Sequence, residues 1–203
     1  MQLVDTLRTG WAAYRRYPIR LSASALVLSL AQLSTTAGVS LILPQGLAVP
    51  ALLLLAGMLE VGQLTSARRA LNGETPRVLH VFEPLSARPL DTALIVLAIG
   101  AGMLFAFVGV FVTLVLFMFA PLYMAEGQAA RDALLESARR VIAAPTRAVG
   151  LCAMLMGIKV LGVLCFGVGL LVTTPLCALI VAAAAKSWPA PAPRAYSAVA
   201  VRG

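Results

Sequence analysis

The chain has 203 residues, of which 61% are hydrophobic and only 12% charged, and its formal net charge is +8. A soluble domain is roughly 45–50% apolar and about 25% charged, so this composition excludes an ordinary water-soluble globule. The apolar residues form continuous runs instead of the alternating stretches of about ten residues that mark a membrane β-barrel, and the sequence therefore predicts an all-α polytopic membrane protein.

The first polar segment, residues 5–22, predicts an amphipathic helix that lies in the membrane interface. Apolar side chains around its start recur at steps of four and three and share one helical face, namely Leu3, Leu7, Trp11 and Tyr14. Arginines lie around that stripe, and Pro18 ends the helix before the first apolar run. Tryptophan and arginine on such a helix are typical of the lipid headgroup layer.

A second segment, residues 132–149, repeats this pattern later in the chain, with Leu134, Ala138 and Val141 on the stripe and Pro145 near its end. Each basic residue near an anionic leaflet contributes ~1 kcal/mol of binding free energy. We therefore predict that the two helices contact anionic lipid through Arg8, Trp11, Arg15, Arg16, Arg139 and Arg140. The alternative is that the two helices only orient and anchor the chain.

Six transmembrane helices, arranged as three hairpins, are predicted, because roughly 20 apolar residues cross a bilayer. They cover about residues 21–43, 46–65, 91–107, 110–125, 148–166 and 170–186. Residues 91–125 can cross once as a long tilted helix or twice as a hairpin. Lys and Arg in short loops mark the cytoplasmic side, and a reversal at Val108-Gly109 places 15 of the 16 basic residues there. Both termini are then cytoplasmic.

Each hairpin has a proline near its membrane entry and a short outer turn, which predicts a three-fold internal repeat. The prolines are Pro18, Pro89 and Pro145, and the turns are Pro44-Gln45-Gly46, Val108-Gly109 and Gly167-Val168-Gly169. Residues 1–187 are thus expected to form a single six-helix domain. Residues 188–203 are expected to be a disordered Pro/Ala-rich cytoplasmic tail, with Trp188 as an anchor at the membrane interface.

Two ionisable residues fall inside apolar runs, Glu60 in the second span and Lys159 in the fifth. A lone charge at the bilayer centre costs ~2.5–3.5 kcal/mol, so such residues pair, face water or snorkel. Three alternatives follow: a Glu60–Lys159 ion pair, a lysine that snorkels towards the outer turn, and coupling to ion or proton movement. Thr173 and Thr174 stand beside Pro175 in the sixth span, where a kink would open a polar site or simply bend the helix.

Groups suited to catalysis are few. His80 is the only histidine, which leaves no partners for a histidine metal cluster or a Ser-His triad. The three cysteines lie in apolar runs at spacings that fit neither a zinc site nor a disulfide framework, and the sequence has no phosphate-loop motif. We therefore expect no enzymatic activity, cofactor or metal, and we interpret the positive charge as topology control and not as nucleic-acid binding.

Three short patterns carry a resemblance to a known family. They are TLRTGWAAYRRYP at residues 6–18, RRALNGETP at 68–76, and a sparse pattern over 121–145, and their matching residues are Gly10, Trp11, Tyr14, Pro18, Gly73, Pro76, Pro121, Leu134, Ser137 and Pro145. Over about residues 3–186 the chain resembles a poorly characterised six-span bacterial membrane-protein family, which includes the membrane domain attached to some glycerophosphodiester phosphodiesterases. The resemblance implies a six-helix bundle in the bacterial inner membrane and little about activity. No phosphodiesterase domain lies within these residues, so that activity is not carried over.

Two functions are compatible with these features. The first is a non-enzymatic scaffold, accessory or regulatory subunit for a membrane partner or a second copy. It is supported by small residues at four-residue steps, which let helices approach closely: Ala98, Gly102 and Ala106, and Ala153 and Gly157. The alternative is a small transporter or channel with a polar site around Lys159, Glu60 and Pro175.

Overall fold

The computed structural model describes residues 2–42, 44–100, 106–165 and 169–189, and within these ranges it is helical and has no strand. The prediction of an all-α chain is confirmed. The elements are α1 Gln2–Arg16, α2 Pro18–Ile42, α3 Gln45–Leu71, a 3-10 helix Val78–Phe82, α4 Glu83–Ala87, α5 Pro89–Gly100, α6 Ala106–Phe117, α7 Ala120–Ala125, α8 Ala130–Ala143, α9 Pro145–Leu164 and α10 Leu170–Ser187.

Three of the described helices are long and apolar enough to cross a membrane. They are α2, over Pro18–Val39, and the whole of α9 and α10. Shorter apolar helices cover Pro89–Ile99 and Val112–Ala125. The structure thus supports a membrane protein by length and composition, while six crossings stay a prediction.

The middle hairpin does not turn at Val108-Gly109. Both residues lie inside α6, which begins at Ala106, whereas α5 ends at Gly100 and residues 101–105 lie outside the described part. Helices α5 and α6 contact each other, and the Thr113 hydroxyl donates a hydrogen bond of 2.9 Å to the Ile99 carbonyl. The predicted turn at Val108-Gly109 was wrong because one glycine in an apolar stretch lowers helix propensity only by ~1 kcal/mol and removes no backbone hydrogen bond.

The predicted fourth span, residues 110–125, is interrupted at Met118 and Phe119, between α6 and α7. Pro121 lies in the first turn of α7, where its missing N–H is tolerated. The buried Ser137 hydroxyl of α8 repairs the break, since it accepts from the Phe119 N–H at 3.2 Å and donates to the Leu116 carbonyl at 2.7 Å. The helix is therefore broken just before Pro121, whereas α10 continues through Pro175, where a kink was considered.

As predicted, a proline lies at the entry to each of three apolar helices. It is the first residue of α2 (Pro18), α5 (Pro89) and α9 (Pro145). The residues before the last two have nearly the same backbone, with φ −145° and ψ 66° at Arg88 and φ −143° and ψ 64° at Ala144. The residue three positions after each proline donates its N–H to the carbonyl preceding that proline, at 3.1–3.2 Å, and is fully buried. These residues are Leu21, Thr92 and Ala148.

The predicted turns of the first and last hairpins agree with the helix ends only in part. Helix α2 ends at Ile42 and Pro44 directly precedes α3, so Gln45 and Gly46 are already helical. Helix α9 ends at Leu164 and α10 begins at Leu170, but Gly167 and Val168 lie outside the described residues.

Helix α10 forms the centre of the bundle and contacts α1, α2, α3 and α9. Its residues from Pro175 to Ala184 are all buried. Helix α1 packs directly on it, because Gly10 has no side chain: a Cβ there would lie 2.9 Å from Ile180 Cγ1. The buried face of α1 therefore differs from the predicted apolar stripe: Tyr14 is buried, but Trp11 is exposed.

Trp188, which we expected in the disordered tail, belongs to the core. Its ring packs edge-on against the fully buried Phe119 with 4.9 Å between ring centroids, and its Nε1–H donates to the Arg140 carbonyl at 2.8 Å. The indole thus buries a large apolar ring while its N–H is satisfied, and the prediction of an interfacial anchor did not foresee this contact. The packed domain thus extends past residue 187, and residues 190–203 lie outside the described part.

Candidate functional site

The predicted intramembrane residue Lys159 lies beside the predicted threonines of α10. Helices α9 and α10 run antiparallel: the Cys177 thiol donates to the Leu155 carbonyl at 3.8 Å, and a Cβ on Gly162 would overlap the Thr173 hydroxyl. Lys159 stands between Leu155 and Gly162 in the chain. It therefore lies at the depth of Thr173 to Cys177.

Glu60 lies at about the same depth on the neighbouring helix. Helices α3 and α10 run parallel, and at their ends the Lys186 ammonium donates a hydrogen bond to Asn72 Oδ1. Glu60 precedes Asn72 by the same number of residues as Thr174 precedes Lys186. Because the rise per residue is the same in both helices, Glu60 and Thr174 lie at the same depth. The structure thus brings the predicted polar residues Glu60, Lys159, Thr173 and Thr174 to one depth around α10.

Glu60 and Lys159 do not form an ion pair. Both side chains are exposed, and neither belongs to any ion pair within 4.0 Å among the described residues. Both charges nevertheless lie close enough to act on the Cys177 thiol. The Thr173 hydroxyl at this depth is buried and has no hydrogen-bond partner in the described part of the chain.

Glu60 is exposed on a helix that is otherwise largely enclosed. Gly57 and Leu64, on the same side of α3, are half-buried, and Gln63 is buried. Helix α3 contacts α2, α5, α7 and α10, which surround it. Glu60 is thus the exposed residue of a stretch of α3 whose neighbouring residues are partly or fully buried.

A polar cavity of about 380 Å³ lies at the Lys186–Asn72 end of the bundle, lined by the end of α3, by α4 and Arg88, and by the end of α7. Ion pairs cross it: Arg69 contacts Glu83 at 2.7 Å, and Arg68 contacts Glu126 at 3.2 Å. Arg88 donates to the Gln128 carbonyl at 3.2 Å. These contacts join segments that are separated in the chain, and their convergence was not predicted from the sequence.

His80 lies beside this cavity, in the 3-10 helix. Its Nδ1 accepts a hydrogen bond of 3.3 Å from the Arg77 N–H. Burial, and the positive charge of Arg69, lower the pKa of His80 below its usual value. These surroundings disfavour the protonated imidazole, in keeping with the hydrogen bond that Nδ1 accepts.

The predicted lipid-contacting residues divide into two groups. Arg8, Arg15, Arg16 and Arg139 are exposed, as is Trp11, so these side chains are available to a membrane surface. Arg140 is engaged within the protein: its Nε donates to Glu136 at 2.8 Å, and its guanidinium lies 4.9 Å from the centroid of the Tyr123 ring. Lipid contact stays a prediction for the first group and is not favoured for Arg140.

The residues that carried the family resemblance have structural contacts. Gly10 lets α10 pack closely against α1, and the Ser137 hydroxyl forms hydrogen bonds at the break between α6 and α7. The Tyr14 and Ser22 hydroxyls form a hydrogen bond of 2.7 Å. Gly73 has φ +85°, a left-handed conformation that favours glycine, and its carbonyl accepts from the Tyr17 hydroxyl at 3.3 Å. The chain matches no protein-family model, and no curated protein or solved structure matches it at a significant level.

Proposed function

We propose that the chain crosses the bacterial inner membrane six times, as three hairpins with both termini in the cytoplasm. The support is directional: α3 and α10 run parallel, α9 runs opposite to them, and the chain reverses between α5 and α6. This reversal returns the arginines of α8 to the side that holds those of α1. At about 1.5 Å per residue, the helices of the middle hairpin are the shortest crossings.

Reporter fusions test this topology. Fusions after residues 44, 103 and 168 should report the outer side, and fusions after residues 75, 128 and 189 the cytoplasm. An outer-side signal at residue 128 would contradict the middle hairpin and restore one long crossing.

Within this topology, we propose that the protein is a non-enzymatic scaffold, accessory or regulatory subunit that binds a membrane partner along α9. The observation that carries this is the open face of α9. Ala153 and Gly157 are exposed, and a Cβ on Gly157 would meet nothing within 4 Å. Exposed apolar side chains surround these small residues, and Lys159 beside them lacks an ion-pair partner within the described chain. Small residues let a second helix approach closely in lipid.

Site-specific photo-crosslinking tests the partner. A photoreactive amino acid at Val160, exposed on α9, should capture a discrete protein in native membranes. The matched control is Leu135, an exposed apolar residue on α8. Adducts with lipid alone at Val160, or the same protein adduct at Leu135, would reject this surface.

Transport is the second candidate, and the exposed Glu60 favours it. Glu60, Lys159 and Thr173 share one depth, and a polar group in the bilayer commonly faces a water-filled path. A cysteine at Lys159 should then react with a membrane-impermeant thiol reagent, while a cysteine at Met156, exposed nearer the middle of the same helix, should not. Equal protection of both cysteines would argue against an aqueous path.

A further inference from the structure

A row of polar residues winds around α3. Glu60, Gln63, Ser66 and Arg69 are spaced three apart, so each side chain neighbours the next on the helix surface, and the row turns from the side of Glu60 to the opposite side at Arg69. The row covers about 13 Å of helix, at about 1.5 Å per residue. It begins at the exposed Glu60 and ends at the polar cavity, which Arg69 lines.

The two middle members are buried without partners. Gln63 is 3% exposed, and neither its Nε2 nor its Oε1 has a hydrogen-bond partner in the described part of the chain. Ser66 is 0% exposed, and its Oγ likewise has none. Buried side-chain amides and hydroxyls almost always have a partner, so two adjacent exceptions on one helix require an explanation.

The two ends of the row differ from its middle. Glu60 is exposed at the depth of Lys159. At the other end Arg69 holds Glu83 Oε1 at 2.7 Å, while Glu83 Oε2 is buried and lacks a partner among the described residues. Both residues line the cavity, and Glu74 lines it as well. The row therefore joins two carboxylates, one in the bilayer and one at the cavity.

We propose that Gln63 and Ser66 bind a short file of water molecules, which carries protons between Glu60 and the cavity. An amide and a hydroxyl each donate and accept, so each can hold a water on either side. Buried waters occupy sites of this kind, where several polar groups lack other partners. In the transfer, the protonated Glu60 carboxyl loses its proton to the file and the Glu83 carboxylate gains one, so no other reactant is needed.

This inference uses the assignment of α3 as a crossing helix and is independent of the partner on α9. Its first test measures hydration of Ser66 directly. In a chain whose three native cysteines are replaced by alanine, Ser66→Cys should react with silver ion in detergent at least several-fold faster than Ala67→Cys. Ala67 is 1% exposed and is the next residue around the same helix. Equal rates would overturn the water file, whatever the crosslinking and fusion experiments give.

The second test measures proton movement and stability. Purified protein in potassium-loaded vesicles with valinomycin should acidify the lumen, as read by a trapped pH dye, and Gln63→Met should abolish this flux. The control Ser24→Ala, in which the buried hydroxyl lost on α2 donates to the Leu21 carbonyl, should retain it. If the site is dry, Gln63→Met removes an unsatisfied group and raises the melting temperature, which contradicts the proposal. Absence of flux in the native protein would overturn proton transfer.

Discussion

Helices α9 and α10 form one hairpin, have the same mean hydropathy of 1.8, and differ in burial, with 22% of residues buried in the best window of α9 and 56% in that of α10. Helix α10 is enclosed by α1, α2, α3 and α9, whereas α9 leaves a broad apolar face open. Because lipid tails are as apolar as leucine, hydropathy identifies both helices as membrane-compatible and cannot distinguish them. The two helices differ in how many neighbouring helices pack closely against them.

The largest expected difference concerns the two tryptophans. Trp188 is 9% exposed and packed on Phe119, whereas Trp11 is 46% exposed. We expect Trp188→Ala to lower the free energy of unfolding by about 3 kcal/mol or more, as for other buried aromatic truncations. Trp11→Ala should change it by less than about 0.5 kcal/mol, as at other surface positions.

Chemical unfolding in mild detergent compares the two variants directly. Equal losses would mean that residues 188 and 11 have similar surroundings, which contradicts the packed end of α10. Trp11→Ala is also a control for lipid contact. If the Trp11 side chain lies at the headgroups, the substitution should weaken lipid binding and leave the free energy of unfolding unchanged.

Two glycines on opposite sides of α9 sharpen the comparison. A Cβ on Gly162 would clash with Thr173 of α10, while a Cβ on Gly157 would meet nothing within 4 Å. We expect Gly162→Ala to cost about 1–3 kcal/mol through overpacking. Gly157→Ala should be neutral or stabilising by up to ~1 kcal/mol, since alanine is the better helix former. Thermal melts of the purified variants measure both changes.

If the open face binds a partner, Gly157→Ala should instead weaken crosslinking at Val160 while the melting temperature of the isolated chain is kept. A loss of stability from Gly157→Ala in detergent would show that this face is packed within the chain.

The contrast also explains what could be predicted from the sequence. Pro18, Pro89 and Pro145 begin long helices because proline cannot continue a preceding helix, and this is a local effect that a sequence displays. The reversal before Ala106, the position of Trp188 and the Arg69–Glu83 pair were not predicted. Each depends on contacts between residues distant in the chain, such as Ser137 with Phe119, for which one sequence gives no signal.

The common depth of Glu60 and Lys159 was within reach of the sequence, because helical rise from the cytoplasmic ends gives it. Their separation was not, since it depends on how α3 and α9 are arranged around α10. The unpartnered Gln63 and Ser66 were overlooked because a single glutamine or serine in an apolar run is common in membrane helices.

A smaller effect is expected at Glu60 and Lys159. Glu60 and Lys159 form no ion pair. We therefore expect the effects of Glu60→Gln and Lys159→Met on the free energy of unfolding to add within about 0.5 kcal/mol, as for sites without shared contacts. A double-mutant cycle in detergent measures this. Recovery of stability in the double variant would show direct pairing and would contradict the separation seen around α10.

The smallest expected effect is the pH dependence at His80, in the 3-10 helix beside the polar cavity. Its folded pKa lies below the ordinary value of about 6.5, chiefly through burial and then through Arg69. The unfolded chain therefore binds the proton more readily, and stability falls as the pH drops through that ordinary value towards the folded pKa. Melting temperatures between about pH 7.5 and 5.5 should show a slight decrease that His80→Gln reduces. An unchanged slope in His80→Gln would assign the decrease to the carboxylates of the cavity, whose pairing with Arg68 and Arg69 would then control the stability of this end.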